Sequence, residues 1–332
     1  MKGPNPFSLW EDDPGGISGR RDEMRSITAF VESAASGQAG VLLVTGIPGS
    51  GKSSMLRYLK SQAERAGLLS PYVNAEKGEG ESAVADKLHQ ELAAGAPGTG
   101  RTPSSFESLV QGIGAGKATV LIIDNIDRMK RADDAVSAIV GLARAGWGKR
   151  KIAFAISSTR VFKEREGPVG SIVLGPLEEH EAREMIDKAL KSGQVKMGDE
   201  CFNSLMADTE GNPKLLKRIC HDIYTRLRDN EKVISKGHYL AYLPQILGSL
   251  SREWFGKMYQ ETPNAEREIL QAIAKEEGGI HVSDVARSIG KPLGPVTALT
   301  RRLLERGQIT RMDRGKYRVF SRLYAKYVAQ RS

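Results

Sequence analysis

The sequence has 332 residues, of which 40% are hydrophobic and 27% are charged, and its formal net charge is +9. One hydrophobic core rarely serves a chain of this length, so we expect two or three domains. The two cysteines support neither a disulfide framework nor a cysteine-bound zinc site. Residues 1–10 hold one lysine and no apolar stretch, and no apolar run reaches the ~18 residues of a membrane span. We therefore expect a cytoplasmic protein without membrane contact.

The first half of the chain alternates predicted strands with predicted helices. Residues 1–19 are rich in proline and glycine and have little periodicity, which predicts an extended lead-in. Helical spacing begins near Arg21. The sequence then predicts strands over 40–45, 71–75, 118–124, 151–157 and 171–174, and helices over 52–66, 82–93 and 133–145. Such alternation is typical of βαβ units with a parallel sheet.

A glycine-rich loop directly follows the first predicted strand. It fits the pattern GxxxxGK[ST], and the strand before it and the helix after it are the context that this pattern requires. Glycines allow backbone angles that a Cβ would forbid, so successive amides can converge on a phosphate. The lysine neutralises the β and γ oxygens, and the serine hydroxyl reaches Mg²⁺. The residues predicted to bind ATP here are Gly46, Ile47, Pro48, Gly49, Ser50, Gly51, Lys52, Ser53 and Ser54.

A second acid for the metal ends the apolar strand 118–124. Asp124 is predicted to hold hydrated Mg²⁺ together with Ser53. The next residue is Asn125, which can hydrogen-bond a water but cannot accept its proton. Asp127 is the nearest substitute carboxylate, and two interpretations stay open for it, a catalytic acid and a solvated loop acid. We predict slow hydrolysis through Lys52, Asp124, Asn125 and Asp127, with ATP used as a switch.

Three weaker features follow other predicted strands. Asn74 is placed either to bond Asn125 or the attacking water, or to serve as a simple turn residue. A hydroxyl among residues 157–159 either senses the γ-phosphate or caps its strand. Arg160 or Arg165 is a candidate arginine finger toward a neighbouring subunit, with a solvated surface cation as the alternative.

The rest of the chain is predicted to be helical and then mixed. Residues 177–261 carry apolar stripes at helical spacing, which predicts a separate helical subdomain. Residues 262–332 carry 14 Lys+Arg against 7 Asp+Glu. A basic module of this kind most often meets nucleic acid, and a solvated basic face is the alternative.

The basic module has the element pattern of a winged helix-turn-helix. Helices are predicted over 265–275, 282–288 and 295–306, and strands over 308–312 and 316–320. On the third helix an apolar stripe of Val296, Leu299 and Leu303 is predicted to be core. Basic residues lie away from this stripe and at the hairpin tip, which suits a major groove and its phosphates. The predicted DNA contacts are Arg301, Arg302, Arg314 and Lys316, with a protein-binding or lid role for the module as the alternative.

Together these motifs resemble the AAA ATPases of the origin-recognition type, which grade into the STAND signalling ATPases. The resemblance covers roughly residues 15–230 and rests on the segment 18–24, the glycine loop, the Asp124 strand, and the segments 175–177 and 211–213. It implies that Arg20 and its neighbours wrap the adenine, and that Pro213 closes a lid over base and phosphates. Lys214 falls where such relatives carry an arginine that touches the γ-phosphate. Lysine keeps the charge but loses the bidentate fork.

The favoured hypothesis is an α/β protein with three parts after the lead-in. These are a P-loop parallel-sheet nucleotide domain (20–176), a helical lid (177–261) and a C-terminal winged helix domain (262–332). We expect ATP or ADP and Mg²⁺ as ligands, and double-stranded DNA, a homo-oligomer or a protein as partner. Two other hypotheses remain, a STAND-like signalling switch whose winged helix contacts protein, and an ATPase helper of a transposase or nuclease.

Overall fold

The computed structural model describes residues 3–7, 17–95, 102–114, 118–145, 151–162 and 169–331. They divide into two compact units. The sheet unit holds the described residues within 11–46 and 51–174. The C-terminal unit holds those within 1–10, 47–50 and 175–332.

The sheet unit is built on five parallel strands. They are β1 (Val41–Gly46), β2 (Tyr72–Asn74), β3 (Thr119–Asp124), β4 (Ile152–Ser158) and β5 (Val169–Leu174). Their order is β2-β3-β4-β1-β5, with β1 paired to both β4 and β5. The predicted parallel sheet is confirmed, and each strand lies within about two residues of its predicted bounds. All carboxyl ends therefore meet at one edge, where ligands of such sheets bind.

Helices cover both faces of this sheet. They are α1 (Arg21–Ala35), α2 (Lys52–Arg65), α3 (Glu81–Gly95), α4 (Phe106–Gly112) and α5 (Ala132–Arg144). Side chains alternate along β1, because Val41 and Leu43 join the core beneath α3–α5 while Leu42 and Val44 join the core beneath α1 and α2. This burial on both faces explains why the strands are continuous apolar runs. Helix α4, a helix of seven residues, was not predicted.

The C-terminal unit begins with helices around one large core. They are α6 (Glu179–Lys191), α7 (Asp199–Thr209), α8 (Pro213–Arg226), α9 (Lys236–Leu250) and, after a π-helical turn, α10 (Gly256–Gln260). Two-residue strands β6 (Lys196–Met197) and β7 (Val233–Ile234) pair in parallel and were not predicted. Cys201 and Cys220 are buried in this core, as free thiols.

Part of the predicted lead-in packs against this unit. Within residues 3–7, the Nδ2 of Asn5 donates to the carbonyl of His221 at 2.9 Å. The side chain of Phe7 is 1% exposed and belongs to the core of the C-terminal unit. The rest of the lead-in, residues 8–16, lies outside the described residues.

The last part of the C-terminal unit mixes helices with a small sheet. It contains α11 (Asn264–Ala274), β8 (Ile280–His281), α12 (Val282–Ser288), α13 (Leu293–Glu305), β9 (Ile309–Asp313), β10 (Lys316–Val319) and α14 (Arg322–Ala329). The antiparallel order is β8-β10-β9. The predicted three helices and hairpin are present, whereas β8 and α14 were not predicted. The stripe on α13 is core, with Val296 and Leu303 fully buried and Leu299 packed against them.

No helix within the described residues is both long and apolar enough to cross a bilayer.

Candidate nucleotide-binding site

The glycine loop joins the end of β1 to the start of α2. Gly49 and Gly51 have φ angles of +80° and +101°, which L side chains rarely adopt. The ammonium of Lys52 donates to the carbonyl of Gly46 at 2.8 Å, and its residue is only 6% exposed. The hydroxyl of Ser50 is buried and makes no hydrogen bond within the described residues. Gly51 is the N-cap of α2 and offers no capping side chain, so the first-turn amides, including those of Ser53 and Ser54, suit an anion.

Asp124 ends β3, and one strand, β4, lies between β3 and β1 in the sheet. Its carboxylate is buried, with the residue 1% exposed. The hydroxyl of Ser157 donates to Oδ1, and the phenol of Tyr72 donates to Oδ2 at 2.7 Å. Each carboxylate oxygen has two lone pairs, so one on each remains for a ligand. A carboxylate and the Ser53 hydroxyl supply oxygen donors of the kind that Mg²⁺ takes beside phosphates and waters.

Asn125 adopts a left-handed backbone conformation directly after Asp124. Its φ angle is +57°, a region in which asparagine is enriched. Its backbone N–H donates to the Ser157 hydroxyl at 2.8 Å, and its Nδ2 donates to Oδ1 of Asn74 at 3.0 Å. The structure thus brings Asn74 and Asn125 together, which was one of the two interpretations for Asn74. The Ser157 hydroxyl is engaged by Asp124 and Asn125, which argues against its sensing a phosphate directly.

Asp127, for which a catalytic acid and a solvated loop acid are the two interpretations, is half-buried. It lies in a 3₁₀ turn, its Oδ1 is buried, and that atom makes no hydrogen bond within the described residues. It lines a surface cavity of about 190 Å³ with Lys130, Asp133 and Arg160, and Asn125 is not in that lining.

The candidate arginine finger is held locally. Arg160 pairs with Asp133 at 2.8 Å, and its guanidinium lies 4.6 Å from the ring centroid of Phe162. Arg165 lies outside the described residues. Arg20, assigned to the adenine by resemblance, has a φ of +47°, is 7% exposed and pairs with Glu23 at 3.1 Å.

Pro213 and Lys214 open helix α8 in the C-terminal unit. Pro213 takes the first helical position, and the Asn212 side chain caps the helix by accepting from the N–H of Leu215 at 3.2 Å. Proline suits this position because a backbone N–H there would have no partner within the helix, so the N–H that proline lacks is not needed. Asn212 Nδ2 also donates to the carbonyl of Pro48 at 3.0 Å.

The same helix start contacts the loop residues 47–50 of its own unit. The backbone N–H of Lys214 donates to the carbonyl of Gly49 at 3.2 Å. The Lys214 ammonium lies 4.4 Å from the ring centroid of Trp254, a favourable cation–π distance. A Cβ on Gly49 would come within 2.8 Å of Trp254 and 2.7 Å of Asn212, so the close approach itself requires glycine.

The four predicted DNA-contacting cations lie on α13 and the hairpin of β9 and β10. Arg302 and Arg314 are exposed, and Lys316 is half-buried. Arg301 is exposed but pairs with Glu305 one turn along its helix, at 3.1 Å.

The parallel sheet, the glycine loop after β1 and the acid ending β3 define the fold of P-loop ATPases. The family model of AAA domains matches residues 35–159, which hold the loop and Asp124. A second family model, described as a domain of unknown function (DUF8462), matches residues 252–328. No curated protein matches the sequence.

Solved structures share this fold over nearly the whole chain. A Walker-type ATPase from Pyrococcus abyssi is similar with a TM-score of 0.70 and 15% identity, over 97% of this chain and 99% of its own. The Holliday junction branch migration motor RuvB from Thermotoga maritima is similar with a TM-score of 0.50 and 16% identity, over 93% of this chain and 95% of its own. At these identities the likeness is one of fold.

Proposed function

We propose that this protein is an ATP-dependent switch that hydrolyses ATP slowly. The observation that carries the proposal is the residue after Asp124. Asn125 is hydrogen-bonded to Asn74, so an amide stands where a general base would be needed. The loop, Lys52 and Asp124 supply the groups for binding Mg²⁺ and ATP, while neither amide can take a proton from water.

Calorimetry and a turnover assay test this proposal together. We expect MgATP binding that is lost in Lys52→Ala and retained in Lys60→Ala, a control on the same helix whose side chain is 36% exposed and pairs with Glu64. Turnover should lie well below ~10 s⁻¹, the median for enzymes. Binding that survives in Lys52→Ala would refute the nucleotide site, and turnover at or above that median would refute the switch.

We further propose that the C-terminal module is a winged helix that binds double-stranded DNA. The support is its charge, +7 over residues 262–332, and the exposure of Arg302 and Arg314 on α13 and the hairpin. The three helices with an antiparallel hairpin match the element pattern of winged helices. ATP and ADP would change DNA affinity only through contacts that differ between the two states.

Fluorescence anisotropy with duplex DNA, at several salt concentrations and with ATP or ADP, tests this. Arg302→Ala and Arg314→Ala should each weaken binding and reduce the salt slope by about one unit for each phosphate that is no longer neutralised. Arg25→Ala, which removes an exposed charge from α1 of the sheet unit, should leave both unchanged. Absence of duplex affinity below ~100 μM at modest salt would reject DNA binding.

One observation favours a protein partner instead. Leu293 on α13 and Met312 on β9 are 50% and 47% exposed, and Arg301 is already paired with Glu305. A STAND-like signalling switch would use exposed apolar side chains of this kind to bind a protein. Measuring the size of the protein with ATP and with ADP, each with and without duplex DNA, separates the two functions. An assembly that needs both ATP and DNA supports DNA binding. An assembly that forms equally without DNA supports the signalling switch. A helper of a transposase or nuclease would instead stimulate that partner enzyme.

A further inference from the structure

Both oxygens of the Asp124 carboxylate accept a hydrogen bond from a hydroxyl. Ser157 on β4 donates to Oδ1, and Tyr72 on β2 donates to Oδ2 at 2.7 Å. The two donors thus approach from the two strands that flank β3. No motif in the sequence singles out Tyr72.

The strand register makes Tyr72 suited to this contact. In the parallel pair of β2 and β3, Tyr72 lies beside Ile122 and Asn74 lies beside Asp124. Residues two apart share a face, so Tyr72 and Asp124 point to the same side of the sheet, separated by about 6.6 Å along the strands. A long, rigid phenol can cover that distance, whereas a serine or threonine cannot.

The donors fix the direction of a carboxylate that is almost inaccessible to solvent. A buried carboxylate is costly unless it is hydrogen-bonded, and Asp124 is 1% exposed. Ser157 is itself held by the backbone N–H of Asn125 at 2.8 Å. Tyr72 lies under α2, where the Arg57 guanidinium is 5.7 Å from its ring centroid. The carboxylate therefore cannot rotate without breaking a hydrogen bond at both oxygens.

We propose that Tyr72 is the positioning residue for the metal-side carboxylate. Its hydroxyl holds Oδ2 so that Asp124 presents its remaining lone pairs to Mg²⁺ and the metal's waters in one orientation. This inference rests on the proposed ATP and Mg²⁺ site.

The test compares Tyr72→Phe with Tyr58→Phe, a half-buried tyrosine of α2 in the same core. Calorimetry would measure binding of a non-hydrolysable ATP analogue in Mg²⁺ and in EDTA. We expect Tyr72→Phe to weaken binding about tenfold in Mg²⁺, the size of one hydrogen bond to a charged group. Binding in EDTA should stay unchanged, and Tyr58→Phe should change neither.

A double-mutant cycle with Asp124→Asn completes the test. If Tyr72 acts through the carboxylate, Tyr72→Phe should have little further effect in the Asp124→Asn background. A tenfold loss that persists there, an equal loss in EDTA, or Mg²⁺-dependent binding that is unchanged or tighter in Tyr72→Phe would each overturn the inference. Failure of the unmodified protein to bind the analogue would instead refute the nucleotide site itself.

Discussion

Glycine is required at two positions of the phosphate loop for different physical reasons. At Gly51 the space around a Cβ is open, and only the φ of +101° excludes other residues. At Gly49 the φ is +80° and a Cβ would also collide with Asn212 and Trp254. Gly67, just after α2, resembles Gly51 in having φ +78° with open space around it.

Gly51→Ala should therefore separate backbone strain from nucleotide binding. Alanine at such an angle costs ~1–2 kcal/mol, so Gly51→Ala and Gly67→Ala should lower the free energy of unfolding by similar amounts. Only Gly51→Ala should also weaken MgATP binding, because its strain relaxes by moving loop amides. Denaturant melts and calorimetry measure the two effects, and equal ATP affinities in both variants would contradict the loop's role.

The two cysteines should be inert in the folded protein. Burial raises the pKa of the Cys201 thiol to about 11 and raises the pKa of the Cys220 thiol as well. At pH 8 the thiolate fraction of Cys201 is then negligible, and thiolate is the reactive form. A thiol reagent at pH 8 should label neither cysteine in native protein and both after denaturation. Rapid native labelling would contradict the burial of this core.

At the start of helix α8, the side chain of Asn212 makes two different hydrogen bonds. Asn212 is 1% exposed, caps α8 through Oδ1, and donates to Pro48 through Nδ2. Ordinary capping residues supply only the first of these bonds. The second ties a helix start to loop residues 47–50 of the same unit.

Substitution of Asn212 can distinguish the cap from the loop contact. Asn212→Ala loses both bonds and should cost ~1–2 kcal/mol of stability. Asn212→Ser keeps a capping oxygen but is too short to reach Pro48, so it should recover much of that loss. Both variants lose the contact with Pro48. If that contact contributes to ATP binding, both should bind ATP with the same affinity as each other and with a different affinity from the unmodified protein. Ser235→Ala, which removes the cap of α9, is the control for a cap without loop contact. Equal stability of Asn212→Ala and Asn212→Ser would contradict the capping role.

Because the chain divides into two compact units, it can unfold in more than one transition. A ligand that binds only the folded form stabilises it by ~2.7 kcal/mol at 100 times its dissociation constant. MgATP should therefore raise the midpoint temperature of any unfolding transition that includes the nucleotide site, and scanning calorimetry measures that midpoint. The shift should vanish in Lys52→Ala and persist in Lys60→Ala. An equal shift in both variants would mean that ATP acts elsewhere on the chain.

Much of the sheet unit could be predicted because its signals are local. Apolar runs, helical spacing and the glycine loop are each written in consecutive residues, so the five strands and the positions of Lys52 and Asp124 followed from the sequence. Helix α4, with seven residues, and helix α14, with eight, were not predicted, although the seven-residue α12 was.

The sequence by itself determined the class of the sheet unit and the residues of its phosphate loop. Only the tertiary structure decided which groups surround Asp124, since Tyr72 and Asp124 are 52 positions apart and meet through strand register. The same holds for the Oδ1 atom of Asp127, whose burial depends on a turn rather than on a pattern. Periodicity reports which face a residue occupies, whereas hydrogen-bond partners depend on how strands distant in sequence align.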